Sequence, residues 1–153
     1  MFLSPLRLGA AVIALFLAAC ATSQSPLHVD TFHLRDTDVS SRASESLAYA
    51  EKKYRLHGHV SQAQREQQKG HYYSIRWKAE PGAGPVTLRL RYQQARTGAQ
   101  ILTRSVTRDS AEGSTQIVIK GNDYAKGGRV LAWKLELLQA GQLLASEQSY
   151  LWE

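Results

Sequence analysis

The chain has 153 residues, one cysteine and a formal net charge of +6 at pH 7. This length suits one domain with a short leader and excludes two full domains. A single cysteine excludes an internal disulfide. The modest positive charge favours anionic partners such as phospholipid head groups, lipopolysaccharide or acidic glycans.

An uncharged apolar run extends from Leu8 to Ala19, directly after the positive side chain of Arg7. The run is shorter than the roughly 20 residues that a bilayer-spanning helix requires. A charged start, a short apolar middle and small residues at the end are typical of a secretory signal peptide. We therefore expect residues 1–19 to be a signal peptide outside the folded domain.

The run ends in Leu17-Ala18-Ala19-Cys20, which contains the only cysteine. This stretch resembles the lipobox of bacterial lipoproteins. The resemblance implies cleavage before Cys20 and acylation of its thiol, so the membrane is a partner through the lipid on Cys20. Two or three acyl chains hold a protein far more firmly than one. Ala21 stands where enterobacterial inner-membrane lipoproteins carry aspartate, which favours an outer-membrane lipoprotein that faces the periplasm. Because such a protein is exported, no nucleic-acid partner is expected.

Residues 20–27 are mostly polar and contain Pro26, which predicts a lipidated tether before a domain over residues 28–153. Asp30–Arg35 places Phe32 and Leu34 on one face, as in a first strand.

Helical spacing then links Ala43, Leu47, Ala50 and Tyr54, and predicts a short amphipathic helix. Alternation of apolar residues from Tyr54 predicts a strand over Lys53–Val60. Ser61 and Gln64 have capping-box spacing, and Gly70 stands where a C-cap glycine belongs, so a helix is expected over Gln62–Lys69.

Strands dominate the rest of the chain. Alternating apolar residues predict strands from His71, from Val86, over Thr115–Lys120, over Arg129–Leu138 and over Gln142–Trp152. Ile101–Thr107 is strand-like but mixed in parity, which predicts a strand that lies at a sheet edge or carries a bulge. In the strand over Arg129–Leu138, Leu131, Trp133, Leu135 and Leu137 are expected on one face. Tyr124 is expected in a glycine-rich loop, where it suits contact with a partner.

Short strands with a turn about every ten residues predict a mainly β chain, folded as a single antiparallel β-sandwich with one or two short helices before the main strands. Residues 71–152, with Trp77 and an aromatic-rich last hairpin, resemble an immunoglobulin-like or fibronectin type III-like domain without the cysteine pair of immunoglobulins. More loosely, the chain resembles small bacterial lipoproteins with one such domain.

His57 and His59 are the most metal-like pair, because alternate residues on a strand point the same way and two imidazoles can share a metal ion. A third ligand from His28, His33, His71 or an acid would be needed. Exposed histidines on a strand surface are the plain alternative.

A basic stripe is the second candidate site. Arg76, Lys78, Arg89 and Arg91 share the parity opposite to the apolar residues of their strands. If the two strands pair, the four charges form one patch that can bind phosphates or carboxylates. The alternative is a solvated outer sheet face whose charged stems lie along the sheet.

No nucleophile elbow, zinc-protease motif or phosphate-binding glycine loop occurs in the sequence. We therefore expect a non-enzymatic envelope lipoprotein without a cofactor, which works through contacts with an envelope protein or polymer. The alternatives are a module that binds anionic envelope components or a metal, and a small hydrolase whose site has no recognisable motif.

Overall fold

A computed structural model describes residues 25–35, 47–59 and 61–152. The elements in chain order are β1 (Leu27–Leu34), α1 (Leu47–Leu56), α2 (Gln62–Glu66), β2 (Gly70–Lys78), β3 (Val86–Gln94), β4 (Leu102–Arg108), β5 (Glu112–Lys120), α3 (Asn122–Gly127), β6 (Val130–Gln139) and β7 (Gln142–Gln148). The predicted signal peptide and Cys20 lie outside the described residues. Leu27, which the sequence assigned to the tether, is buried and begins β1.

The strands form two antiparallel sheets with the orders β1-β2-β5 and β4-β3-β6-β7. The predicted β-sandwich is therefore confirmed, and β4 lies at a sheet edge as expected. β2 and β3 are consecutive in the chain but belong to different sheets, so the loop between them crosses from one sheet to the other.

The core lies between the two sheets and consists of the inward residues of alternating strands. Tyr73, Ile75 and Trp77 of β2 are at most 5% exposed. They face Val86, Leu88 and Leu90 of β3, which are fully buried. The inward parity predicted for both strands is therefore confirmed. Each such aliphatic side chain stabilises the fold by about 1.5–3 kcal/mol when it leaves water.

A smaller cluster covers the outer face of the three-stranded sheet. Phe32 and Leu34 share a face as predicted, but that face packs against α1 through Leu56. The Arg55 guanidinium lies 3.9 Å from the centre of the Tyr72 ring, where cation–π attraction adds to the packing.

The predicted helix before Tyr54 is confirmed, but the strand over Lys53–Val60 is wrong. Residues 53–56 continue α1, and Gly58 then turns the chain at φ +80°. Tyr54 is exposed while Leu56 is buried, because helical spacing and not alternation sets their faces. Val60 lies outside the described residues.

The Ser61 capping box is confirmed, with the Gln64 amide donating to Ser61 Oγ at 3.1 Å and Ser61 N–H donating to Gln64 Oε1 at 3.2 Å. Gly70 is not a C-cap; it begins β2. A Cβ there would lie 2.2 Å from the Ile119 carbonyl oxygen, so glycine allows the close approach of β5.

Two expectations near β6 are also wrong. The segment around Tyr124 forms α3 and not a loop. Leu131 is 40% exposed and does not join Leu135 and Leu137 in the core, because Gln93 pairs with Ala132 and Gln94 with Val130, so the ladder skips Leu131.

The sandwich has two distinct ends. At the Leu27 end, Leu27 pairs with Trp77, and the Gln139 amide donates to the Glu80 carbonyl at 2.7 Å. The His71 end is defined by Leu34, His71 and Val130, where Val130 N–H donates to His71 Nε2 at 3.0 Å.

The first and last strands meet along one side of the sandwich. Val29 N–H donates to Glu147 Oε2 at 3.0 Å. Ser149, directly after β7, donates its amide to the Trp133 carbonyl at 2.9 Å. The chain therefore begins its fold at the Leu27 end and finishes it near the His71 end.

Adjacent tyrosines on opposite faces of β2 give a matched test of this packing. Tyr72 donates its hydroxyl to the Gln68 carbonyl at 2.5 Å, whereas the buried Tyr73 hydroxyl has no partner among the described residues. We expect Tyr72→Phe to lower the free energy of unfolding by about 0.5–1.5 kcal/mol, and Tyr73→Phe to leave it unchanged or raise it. Urea denaturation measures both, and a larger loss from Tyr73→Phe would contradict the burial of that hydroxyl.

Candidate functional site

Helix α3 closes the His71 end and is held there by a buried side chain. Gln94, the last residue of β3, is 2% exposed and donates its amide to the carbonyls of Asp123 at 3.2 Å and Gly128 at 2.8 Å. A Cβ on Gly127 would lie 2.2 Å from Gln94 Oε1, so only glycine permits this approach. An Arg104–Asp123 ion pair ties the same helix to β4.

A pair of stacked histidines lies beneath α3. His33 of β1 and His71 of β2 are cross-strand partners, with ring centres 3.9 Å apart and planes 16° from parallel. His33 Nε2 and the Tyr124 hydroxyl share a hydrogen bond of 2.8 Å. Because His71 Nε2 accepts from Val130 N–H, its neutral ring carries the proton on Nδ1.

The surroundings of this pair disfavour protonation. The pKa of His71 is lowered to about 3, chiefly by burial and in addition by the nearby His33 and Arg129. Burial also lowers the pKa of His33, with additional effects of Arg35 and Arg129. Both rings are therefore neutral at pH 7, and they serve as packing and hydrogen-bonding surfaces for α3 and β6.

Two cavities flank α3. One, of about 410 Å³, lies beside Arg104, Asp123 and Lys126. The other, of about 290 Å³, lies on the side of Tyr124 and is lined by the cations Lys69, Arg96 and Arg129 and by Glu66. A separate groove of about 700 Å³ runs between α1 and the outer face of β1 and β2.

An apolar surface lies close to the end of the chain. Tyr150 is fully exposed, Leu151 is 65% exposed and Ile101 is 43% exposed. Ile101, Leu151 and Trp152 line one shallow cleft. We call these four residues the C-terminal apolar patch; it lies beyond Ser149, on the outer face of the four-stranded sheet beside Arg91 and Gln93, toward the His71 end.

The basic stripe predicted from the sequence does not form one patch. Arg76 and Lys78 lie on β2 and Arg89 and Arg91 on β3, so the two pairs face outward on opposite sides of the sandwich.

Three of these four side chains also have local partners. Arg76 pairs with Asp30 at 3.2 Å and Arg89 with Glu136 at 2.7 Å. The Arg91 guanidinium lies 5.4 Å from the Trp152 ring centre. The face of each sheet therefore carries separate, largely satisfied charges.

His57 and His59 lie in the turn after α1, so the predicted strand that would align their side chains does not form. Throughout residues 25–35, 47–59 and 61–152, no three His, Cys, Asp or Glu side chains come close enough to hold a metal ion. The inward aromatics Tyr73, Trp77 and Tyr92 are buried in the core, whereas Tyr150 is fully exposed.

The sequence analysis missed the histidine pair and the cationic cavity. One signal was available: His71 shares the inward parity of Tyr73, Ile75 and Trp77. The partnership of His71 with His33 and Tyr124 depends on strand register and on α3, which no local pattern contains.

No family model, curated protein or solved structure matches this chain. No helix within the described ranges is long and apolar enough to cross a bilayer. The geometry of the described residues and the motif at Cys20 are therefore the features from which a function can be inferred.

The partly buried histidine pair predicts a loss of stability on mild acidification. Because the folded pKa of His71, about 3, lies below its ordinary 6.5, protons bind the unfolded chain preferentially as the pH falls below 6.5. We expect the free energy of unfolding to fall by about 1–2 kcal/mol from pH 7 to pH 5. Urea denaturation at several pH values measures this slope.

The variant His71→Gln should flatten most of that slope, whereas His57→Gln, in an exposed turn, should retain it. An unchanged slope in His71→Gln would mean that other groups cause the acid sensitivity.

Proposed function

We propose that this protein is a lipid-anchored lipoprotein of the bacterial cell envelope whose β-sandwich works through contacts and not through catalysis. The Leu17-Ala18-Ala19-Cys20 motif supports the anchor. The observation that carries the proposal is the position of the tether relative to the exposed features. The tether joins the sandwich at the Leu27 end, whereas the C-terminal apolar patch and α3 lie toward the other end.

Dimensions support this arrangement. Strands of eight or nine residues at about 3.3 Å per residue separate the two ends by roughly 27–30 Å. The Pro26 carbonyl accepts from Lys78 N–H at 2.9 Å, so the free part of the tether ends before Pro26. A tether over 21–25 extends at most about 18 Å, and the His71 end therefore faces away from an anchoring membrane.

The exposed residues at that end support the proposal that the sandwich works through contacts. Contiguous exposed apolar side chains on a soluble domain commonly mark contact sites. Ala21 supports placement in the outer membrane, facing the periplasm. The sheet orders β1-β2-β5 and β4-β3-β6-β7 support the proposal that the sandwich is immunoglobulin-like or fibronectin type III-like.

The anchor is tested by Cys20→Ser. We expect this variant to lose labelling by radioactive palmitate and to leave the membrane fraction, because only a thiol forms the thioether. Ser23→Ala, three residues away, is the matched control and should stay labelled and membrane-bound. Palmitate labelling of Cys20→Ser, or release of the unaltered protein by a mild salt wash, would falsify the anchor.

The orientation is tested by a photoreactive phenylalanine analogue at Leu151 or at Ala83, which lies in the β2–β3 loop near the Leu27 end. Illumination of intact cells should give discrete adducts from position 151 and no protein adducts from position 83, since only the former faces a partner. The reverse pattern, or the same adducts from both positions, contradicts the proposed orientation.

A further inference from the structure

We propose that the cavity beside Tyr124, lined by Lys69, Arg96 and Arg129, binds a phosphate group carried by a sugar of an envelope glycan. The site is distinct from the patch of three arginines and one lysine expected from the sequence, which the fold divides between two faces. It also goes beyond the contact role proposed above, because it assigns a ligand chemistry and belongs to the folded domain whether or not Cys20 is acylated.

Positive charge is concentrated at this end of the sandwich. The acidic side chains on α2, on α3 and in the segments that flank them are only Glu66 and Asp123 within the described residues, and Asp123 already pairs with Arg104. The cations in the same segments and at the neighbouring ends of β1 and β3 are Arg35, Arg65, Lys69, Arg96, Lys120, Lys126 and Arg129. A cleft with this imbalance attracts anions.

Arg129 is the cation best placed to receive one. Its carbonyl is fixed by the Ala95 amide at 3.0 Å, whereas its exposed side chain makes no hydrogen bond or ion pair with the described residues. Its charge also reaches the histidine pair, because it contributes to the lowered pKa values of His33 and His71.

The other two cations are already oriented. Arg96 donates Nη1–H to the Ala125 carbonyl at 2.9 Å, and Lys69 Nζ lies 2.6 Å from Glu66 Oε2. Glu66 offsets part of the lysine charge, so the two guanidiniums provide most of the attraction. One guanidinium group can donate hydrogen bonds to two phosphate oxygens at once. The combined charge of the two guanidinium groups balances that of a phosphate monoester.

The size of the cavity favours a small group. Its volume of about 290 Å³ is at the lower limit of typical ligand pockets. It suits a phosphate with the ring that carries it. A phospholipid head group has the same phosphate chemistry, but the cavity lies at the end of the sandwich opposite the tether.

The test is an NMR titration of the full chain in detergent with glucose 6-phosphate at constant ionic strength. Binding should shift the backbone amides of Gly121, Ala125 and Gly128 and raise the pKa of His33, because the bound anion offsets the charge of Arg129. Arg129→Gln should weaken binding about tenfold or more. Lys126→Gln removes one charge from the same helix but lines the other cavity, and it should bind nearly as well as the unaltered chain.

Glucose should not bind, and glucuronate, with a single carboxylate charge, should bind more weakly. The proposal is overturned if glucose 6-phosphate shifts none of these amides, or if both variants lose affinity equally, since the second result shows general charge attraction. Vesicles of phosphatidylglycerol that bind more tightly than the sugar phosphate, through Arg129, would assign the site to a lipid head group and overturn the glycan. None of these outcomes depends on the anchor, which palmitate labelling tests separately.

Discussion

Burial of β2 against β3 is the interaction on which the other features of the molecule depend. Each is an inner strand of its sheet, and their inward side chains leave water almost completely. At about 1.5–3 kcal/mol for each large side chain, this contact fixes the distance and angle between the sheets. Both ends are then closed by a buried glutamine, Gln139 at the Leu27 end and Gln94 at the His71 end. Because Gln94 terminates β3, the core itself positions α3 and the cavity beside it.

Much of this fold was predictable because a strand with one buried face alternates apolar and polar residues. The inward residues of β2, β3 and most of β6 follow from that period alone. Pairing does not, since neighbours in the chain need not be neighbours in a sheet. The prediction that Arg76 and Arg89 share one patch assumed that β2 and β3 pair. The loop between these strands crosses from one sheet to the other, so the two arginines lie on different faces. The error at Tyr54 has another cause: three alternating residues are too few to distinguish a strand from the end of a helix.

The candidate site was much less accessible to sequence reasoning. Glycines on both sides of Tyr124 indicate a loop by local preference, and a helix of six residues has little stability of its own. Hydrogen bonds from Gln94, 29 and 34 residues away in the chain, hold it in place. His33 and His71 likewise meet only through strand register. The features that define the site are thus tertiary, whereas the motif at Cys20 is local and readable in four residues.

The contact between Val29 and Glu147 determines when the domain can be completed. A chain synthesised from its N-terminus produces β1 first, yet β1 acquires its neighbour along the open side only when β7 has emerged. The hydrophobic interior therefore stays accessible to water, chaperones and proteases until nearly the whole chain is free. Such long-range closure slows folding relative to local hairpins.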